Sequence, residues 1–359
     1  MVEINKVMKK LYDCVEYIAD VQLVATMELP WDQLNNKNLM LTGATGQIGS
    51  FLIDVLLYRN VHFGMNCTIY AIGRNREKAR NRFGVHFEDF RFFEHDINKP
   101  LTRTDIGHVD YVLHLASNTH PIAYASDPIG TITTNIIGTA NLLDFAVEHG
   151  AKRCAFASSN EVYGENRGDV EKFDETYCGY IDCNTMRAGY PESKRCGEAL
   201  CQAYIKQKGM DIVIPRLTRT YGPTLLSTDT KALSQFIHKA ISNEDIVLKS
   251  AGTQYYSYTY VADAVSGLLT VLLLGEKGEA YNIADDASDI QLKDLATIIA
   301  GSVGKKVVFE IPDDTEKAGY SKATKARLDS QKLQELGWKA SFSIQKGVDR
   351  TIKVLTEIK

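Results

Sequence analysis

Tyr190 and Lys194 stand four positions apart in the run Gly189-Tyr190-Pro191-Glu192-Ser193-Lys194. On a helix that spacing puts both side chains on one face. An ammonium beside a phenol favours the phenolate and lowers its pKa. A tyrosine so tuned can act as a general base near neutral pH. A lone Tyr-x-x-x-Lys is usually a surface pair, but two further pieces accompany this one. The first is a serine-rich stretch, Ala157-Ser158-Ser159-Asn160-Glu161-Val162-Tyr163-Gly164. The second is a glycine loop, Thr42-Gly43-Ala44-Thr45-Gly46-Gln47-Ile48-Gly49, well upstream. An apolar run precedes the loop, and Ile48, Phe51, Leu52, Val55 and Leu56 follow at helical spacing. Strand, tight turn and helix together aim backbone N–H groups at a phosphate and let a pyrophosphate approach closely. A βα turn that merely needs small residues is the plainer reading; the flanking strand and helix favour dinucleotide binding.

The elements that must carry these residues alternate. Strands are expected at Thr68–Ile72, Arg91–Glu94, Tyr111–Leu115, Arg153–Ala157 and Ile212–Leu217, with helices through Ile129–Glu148 and Gly189–Gln207. Such alternation implies an α/β fold with a doubly wound parallel sheet. Ligands of such sheets bind at the carboxyl ends of the strands, where the glycine loop and the serine-rich stretch fall. Past Pro223 the rhythm loosens. Helices are expected near Lys231–Asn243, Val261–Leu274 and Gln291–Val303, and short strands near Ile246–Leu248, Gln254–Tyr260, Glu279–Ile283 and Lys306–Glu310. Asp313–Lys325 reads as a loop. Before the first strand, Ile4, Val7, Met8, Leu11, Val15 and Ile18 predict one amphipathic helix, packed on the main domain or serving a dimer contact. The expected organisation is a helical extension over 1–37, a dinucleotide-binding domain with the catalytic residues over 38–222, and mostly a smaller substrate-binding cap over 223–359.

Composition narrows the function. The chain has 359 residues, 44% hydrophobic and 24% charged, with a net charge of -4. Neither sign dominates and no basic block occurs, which argues against nucleic acid or an anionic membrane as partner. No apolar run approaches membrane-spanning length, and charges scattered through residues 1–30 leave no leader-like apolar region. The cysteines number seven, without zinc spacing, so no metal site is expected; reduced thiols in the cytoplasm fit better.

These motifs in combination resemble the extended short-chain dehydrogenase/reductases, specifically the nucleotide-sugar (NAD-dependent) epimerase/dehydratase family, over about residues 38–355. The resemblance rests on Thr42–Gly49, His95-Asp96-Ile97, His114-Leu115-Ala116-Ser117, Asn135-Ile136-Ile137-Gly138-Thr139, Ser158–Gly164, Tyr190–Lys194, Arg216–Pro223 and the tail Leu336-Gly337-Trp338 followed by Gly347. Within the family, Arg187-Ala188-Gly189-Tyr190-Pro191-Glu192-Ser193-Lys194-Arg195 is most similar to the UDP-glucuronate decarboxylase branch.

The resemblance implies a Rossmann-like fold, a cytoplasmic homodimer and a nucleotide-diphosphate sugar as substrate. It implies that Tyr190 takes a proton from a sugar hydroxyl while hydride leaves for a nicotinamide. Lys194 would tune Tyr190 and hold the nicotinamide ribose, and Ser159 would hydrogen-bond the reacting oxygen. Gly43, Thr45, Gly46, Gln47, Ile48, Gly49, Leu115, Ala116 and Ser117 would line the cofactor, with Asp96 and Ile97 bordering adenine. Glu161 would be an acid/base or substrate-orienting carboxylate, its alternative a solvated strand end. Arg187 would pair with a substrate carboxylate, or be a surface arginine.

Departures from the family pattern refine this. Asn160 replaces the aspartic acid that dehydratases use on the leaving hydroxyl, and it has no titratable proton. Arg219 stands where the decarboxylase branch has asparagine. Near Gln254 the usual arginine on the nucleotide diphosphate is absent, so Arg219 would be its substitute on the phosphate; the alternative is a substrate other than a standard UDP-sugar. Where an NAD site places Asp or Glu, this chain has Gly73-Arg74. A guanidinium there binds a 2′-phosphate, so NADP is favoured over NAD; the alternative is that Arg74 stacks on adenine or faces water. The leading expectation is transient oxidation at the sugar C4 followed by decarboxylation or epimerisation, less readily elimination. Alternatives are a net NADPH-dependent reductase of a nucleotide-linked keto-sugar or ketose, and a non-catalytic dinucleotide sensor.

Overall fold

The computed structural model describes residues 11–102, 105–119, 121–310 and 324–359. Its main sheet begins with β1 (Asn38–Thr42), β2 (Thr68–Gly73) and β3 (Arg91–Glu94), then β4 (Tyr111–His114), β5 (Arg153–Phe156) and β6 (Ser158–Ser159). It ends with β7 (Ile212–Leu217) and β11 (Ala280–Ile283). The order is β3-β2-β1-β4-β5-β7-β11, with β6 pairing β7, and every pairing is parallel. The chain steps outward from β1 to β3, then returns to lay β4 on the other side of β1. That reversal opens a crevice at the carboxyl ends of β1 and β4, where Thr42 is in register with His114.

The strands read as near-continuous apolar runs because both sheet faces are covered. Side chains alternate between two cores. Leu39, Leu41, Ile69, Ala71 and Leu113 face one layer; Met40, Tyr70, Ile72, Val112 and Phe156 face the other. The first layer contains the helices Gln47–Phe63 and Val261–Leu274, and the second Pro128–Glu148 and Gly189–Lys208. The C-terminal part of the chain thus returns to the main sheet through β11 and the helix before it.

The remaining strands are β8 (Arg219–Tyr221), β9 (Ile246–Leu248), β10 (Tyr255–Tyr260), β12 (Asp289–Gln291), β13 (Val307–Phe309) and β14 (Lys325–Ala326). β10 is central, flanked by β8, β12 and β14. β9 pairs with β13. Of the loop expected over 313–325, residues 313–323 lie outside the described residues, and Lys325 opens β14 instead.

The N-terminal helix departs from its expected bounds. Ile4, Val7 and Met8 lie outside the described residues. Cys14 has extended backbone, and a helix then runs Val15–Ala25. The buried stripe Tyr17, Val21, Val24 and Ala25 continues past Ile18, so packing carries the helix further than the expected pattern did. It is tied down by polar groups as well. Buried Asp20 accepts from the Tyr260 hydroxyl at 2.6 Å and pairs with Arg350 at 2.6 Å. Tyr12 and Tyr17 both donate to Asp54, which pairs with Arg82. All seven cysteines are free thiols. Among the described residues no helix is long and apolar enough to cross a membrane.

Candidate active site

The glycine loop leaves β1 and enters the helix Gln47–Phe63. Gly43 has φ +72, and a Cβ there would collide with the Leu115 carbonyl and the Ala116 nitrogen at 2.7–2.9 Å. Gly49 is required by the loop itself, since a Cβ would come within 2.3 Å of the Gly43 carbonyl oxygen. At both positions the chain's own close packing requires glycine. Gly46 differs: its Cβ would meet only that carbonyl, at 3.2 Å. It precedes a helix whose first turn has no side-chain cap. Bare backbone and unclaimed N–H groups at a helix start fit an anionic pyrophosphate. Thr45, Gln47 and Ile48 are half-buried around it.

Thr42 joins the two strand ends. Its hydroxyl oxygen accepts the Leu115 and Ala116 N–H groups at 3.1 Å each and lies 2.8 Å from His114 Nδ1. With two donors on the oxygen, the hydroxyl proton points to Nδ1, which places the neutral ring's own proton on Nε2. Burial, aided by the Lys194 charge, holds the His114 pKa down to about 3. Ser117 donates to Asn135 Oδ1 (2.9 Å), Asn135 Nδ2 to Ser193 Oγ (2.9 Å), and Ser193 to the Tyr190 carbonyl (2.8 Å). This relay ties the helix Gly189–Lys208 to the segment just past β4. Asn135 and Ser193 belong to the recognised motifs, yet spacing alone assigned them no role. Asp96 accepts from the Asn98 N–H, and Ile97 is buried under Gly138.

Tyr190 sits in the first turn of Gly189–Lys208 and is buried. Ser159 accepts the Glu161 N–H at 3.2 Å, capping the short turn Asn160–Tyr163, and its hydroxyl hydrogen-bonds the Tyr190 phenol. Arg187 Nη2 donates to Glu161 Oε1 at 2.8 Å, and its guanidinium lies 5.0 Å from the ring centre of Tyr124. Tyr124 in turn stacks on Tyr190, with ring centres 5.0 Å apart and planes at 28°. The structure therefore brings Ser159, Glu161, Arg187 and Tyr190 into one cluster and adds Tyr124, which no spacing signal marks. Buried Asn160 lies in the same turn.

Two residues have partners that spacing did not indicate. Lys194 shares Tyr190's helix, but its Nζ donates to the Ala157 carbonyl at 2.7 Å over the Phe156 ring. Burial pulls the lysine's pKa down to about 7. Tyr190 is pushed up rather than down: burial and then the Glu161 carboxylate raise it, against smaller opposing effects of Ser159 and Arg187. Arg187 is the second case. Its charge is answered by Glu161.

Arg219 is open. Its guanidinium lies 3.6 Å above the Tyr256 ring, and its Nη1 is buried without a partner. β8 sets Arg219 in register with Tyr258, so the side chain runs along β10 towards Tyr256. Residues two apart share a strand face, which places Gln254 on the same side; its Oε1 also lacks a partner. The Tyr256 phenol feels Arg219, Glu161 and Arg187 together. Arg74, just past β2, is exposed.

The family model described as the NAD dependent epimerase/dehydratase family matches residues 39–284. This chain belongs to that family. UDP-glucuronic acid decarboxylase 1 of Xenopus tropicalis is 30% identical over 97% of this chain and 81% of its own length. UDP-glucuronic acid decarboxylase 6 of Arabidopsis thaliana is 32% identical over 88% of this chain and 87% of its own. Among solved structures, the Bacillus cereus UDP-glucuronic acid 4-epimerase, in complex with UDP-glucuronic acid and NAD, superposes with a TM-score of 0.75. It covers 90% of this chain and all of that one at 22% identity, a likeness of fold.

Proposed function

We propose that this family member decarboxylates a UDP-linked uronic acid through transient oxidation at the sugar C4. The observation that carries the reading is the cluster of Ser159, Glu161, Arg187 and Tyr190 at the carboxyl edge of the sheet. Similarity to the decarboxylases supports it. A nicotinamide dinucleotide held on the glycine loop would accept and return the hydride.

Tyr190 removes the C4 hydroxyl proton, and Ser159 holds that oxygen. Once C4 is a ketone, the carboxylate on C5 is a β-keto acid. The C5–carboxylate bond breaks, carbon dioxide leaves, and the electron pair passes into an enolate. C5 takes up one proton from solvent, relayed by Glu161, which starts as the carboxylate paired with Arg187. Tyr190 then returns its proton to the C4 oxygen as the hydride comes back. Lys194 and the Ser117–Asn135–Ser193 relay hold the catalytic helix and strand ends in place. Asn160 cannot protonate a leaving hydroxyl, which disfavours dehydration.

Arg219 takes the diphosphate, supported by its unpartnered Nη1 and its seat on Tyr256. Gln254 accepts from the nucleoside. A homodimer is supported by the exposed apolar residues Ile129, Ile132 and Ile137 on one helix and by Met186 nearby in sequence to the catalytic helix. The test is a panel of UDP-, dTDP-, CDP- and GDP-sugars read by mass and carbon dioxide release. UDP-glucuronate should lose carbon dioxide with the wild type and not with Tyr190→Phe. Isomerisation without carbon dioxide loss, or full activity of Tyr190→Phe, would overturn the proposal.

A further inference from the structure

We propose that Arg74 and Lys78 clamp the 2′-phosphate of an NADP-type dinucleotide, so that this chain takes the phosphorylated cofactor in preference to NAD. The inference rests on the dinucleotide reading of the glycine loop and adds which dinucleotide it is.

Position comes first. β2 lies beside β1, with Ile72 in register with Thr42, and the loop's Ala44 N–H points at the Ile72 carbonyl at 3.4 Å. Gly73 ends β2, so Arg74 is the first side chain past the strand next to the glycine loop. In a doubly wound sheet this is where the adenosine ribose of a dinucleotide lies. A carboxylate following the strand here would hold both ribose hydroxyls and repel a phosphate; this chain has Arg74 there, and the nearest carboxylate, Glu94 of β3 in register with Gly73, is taken by the Arg76 N–H.

The neighbouring cations are not interchangeable. Arg76 is committed, its Nη2 donating to the Phe92 carbonyl at 2.7 Å. Its backbone N–H donates to Glu94 at 3.1 Å. Arg80 lies over the Phe87 ring at 5.3 Å. Among the described residues, neither Arg74 nor Lys78 has a side-chain hydrogen bond or an ion pair.

These two flank the same helix cap. Asn75 accepts the Lys78 N–H at 2.7 Å and caps the helix Arg76–Phe83. Arg74 precedes that cap and Lys78 lies one turn beyond it. Local desolvation by the packed stem of this otherwise exposed side chain, and then the Arg74 charge, lower the Lys78 pKa. Two unpaired like charges at a helix start are unfavourable towards each other and towards the helix dipole. A dianion between them reverses both effects, and a ribose 2′-phosphate is the dianion that this crevice would present.

The test measures binding, not turnover. Cofactor-free wild type, Arg74→Ala, Lys78→Ala and the double variant are titrated calorimetrically with NADP, NAD and 2′,5′-ADP. Both side chains are exposed, and unchanged melting curves would verify that the variants fold. Wild type should bind NADP at least about tenfold more tightly than NAD, as expected for charge-assisted phosphate contacts. Each substitution should weaken NADP and 2′,5′-ADP about tenfold while leaving NAD within about twofold. Equal or tighter wild-type binding of NAD would overturn the clamp. So would an NADP-to-NAD ratio unchanged in the double variant. Either result leaves the decarboxylase reading standing, whereas failure to bind any dinucleotide would remove both.

Discussion

Arg187 closes on Glu161 at 2.8 Å beside the buried Tyr190 phenol, so the cluster's one arginine and one carboxylate neutralise each other next to its base. The carboxylate still raises the phenol's pKa, and the guanidinium lowers it by less. The proposed role of Tyr190 as base needs the phenolate, so a group that raises its pKa would move the active range to higher pH.

Glu161→Gln removes that carboxylate charge. The Tyr190 pKa should fall, and the rising limb of the kcat/KM profile should move to lower pH. The residual rate should fall by about 100-fold or more if Glu161 moves a proton. The check is a pH–rate profile of both proteins; a limb that stays in place or moves to higher pH would refute the coupling.

Lys194 carries a stability cost that depends on pH. Its pKa falls from 10.5 to about 7 on folding. Between those values the unfolded chain binds a proton that the folded chain does not, so stability from this group rises with pH across that window. Below about pH 7 both states are protonated and the full cost of the buried charge is present. Lys194→Met should therefore melt above wild type near neutral pH, with the gap shrinking towards about pH 10, while turnover is lost. Thermal unfolding of cofactor-free protein across that range is the measurement; a constant gap would count against it.

Arg219→Met should raise KM for the nucleotide sugar by about tenfold or more, the loss expected for a charge-assisted phosphate contact. Dinucleotide affinity should be unchanged. Steady-state kinetics alongside cofactor titration separates the two, and an unaltered KM would remove Arg219 from the substrate site.

Asp54→Ala would strand the Arg82 guanidinium, which lies 2.5 Å from the Asp54 carboxylate in a largely buried setting. Breaking such a pair costs about 3–5 kcal/mol. Replacing Arg82 with Met in the same protein should recover much of that loss, because no unpaired charge remains. Urea unfolding of the single and double variants would show it; equal stabilities would mean the pair is solvated.

Much of the architecture was legible in the chain because its signals are local. β3, β7, β9 and the helix Val261–Leu274 have the bounds expected from their apolar patterns. The glycine spacing marked the loop, because backbone at φ +72 and contacts of 2.3–2.9 Å tolerate little else. The helix Gly189–Lys208 carries Tyr190 and Lys194 on adjoining turns, as four-residue spacing requires. Where a pattern was extended by remote packing, as for Val15–Ala25, the expected bounds fell short.

The partners of the chemical groups were decided only by the tertiary structure. Spacing put Lys194 near Tyr190, yet Ala157, between β5 and β6, supplies the carbonyl that takes its ammonium. Arg187 and Glu161 are 26 positions apart, and Tyr124 reaches Tyr190 from another helix. Arg219 finds the Tyr256 face because β8 pairs with β10. Periodicity records which face a residue occupies within its own element. It carries no record of what another element places opposite, and in a buried site that neighbour sets the charge balance and the pKa.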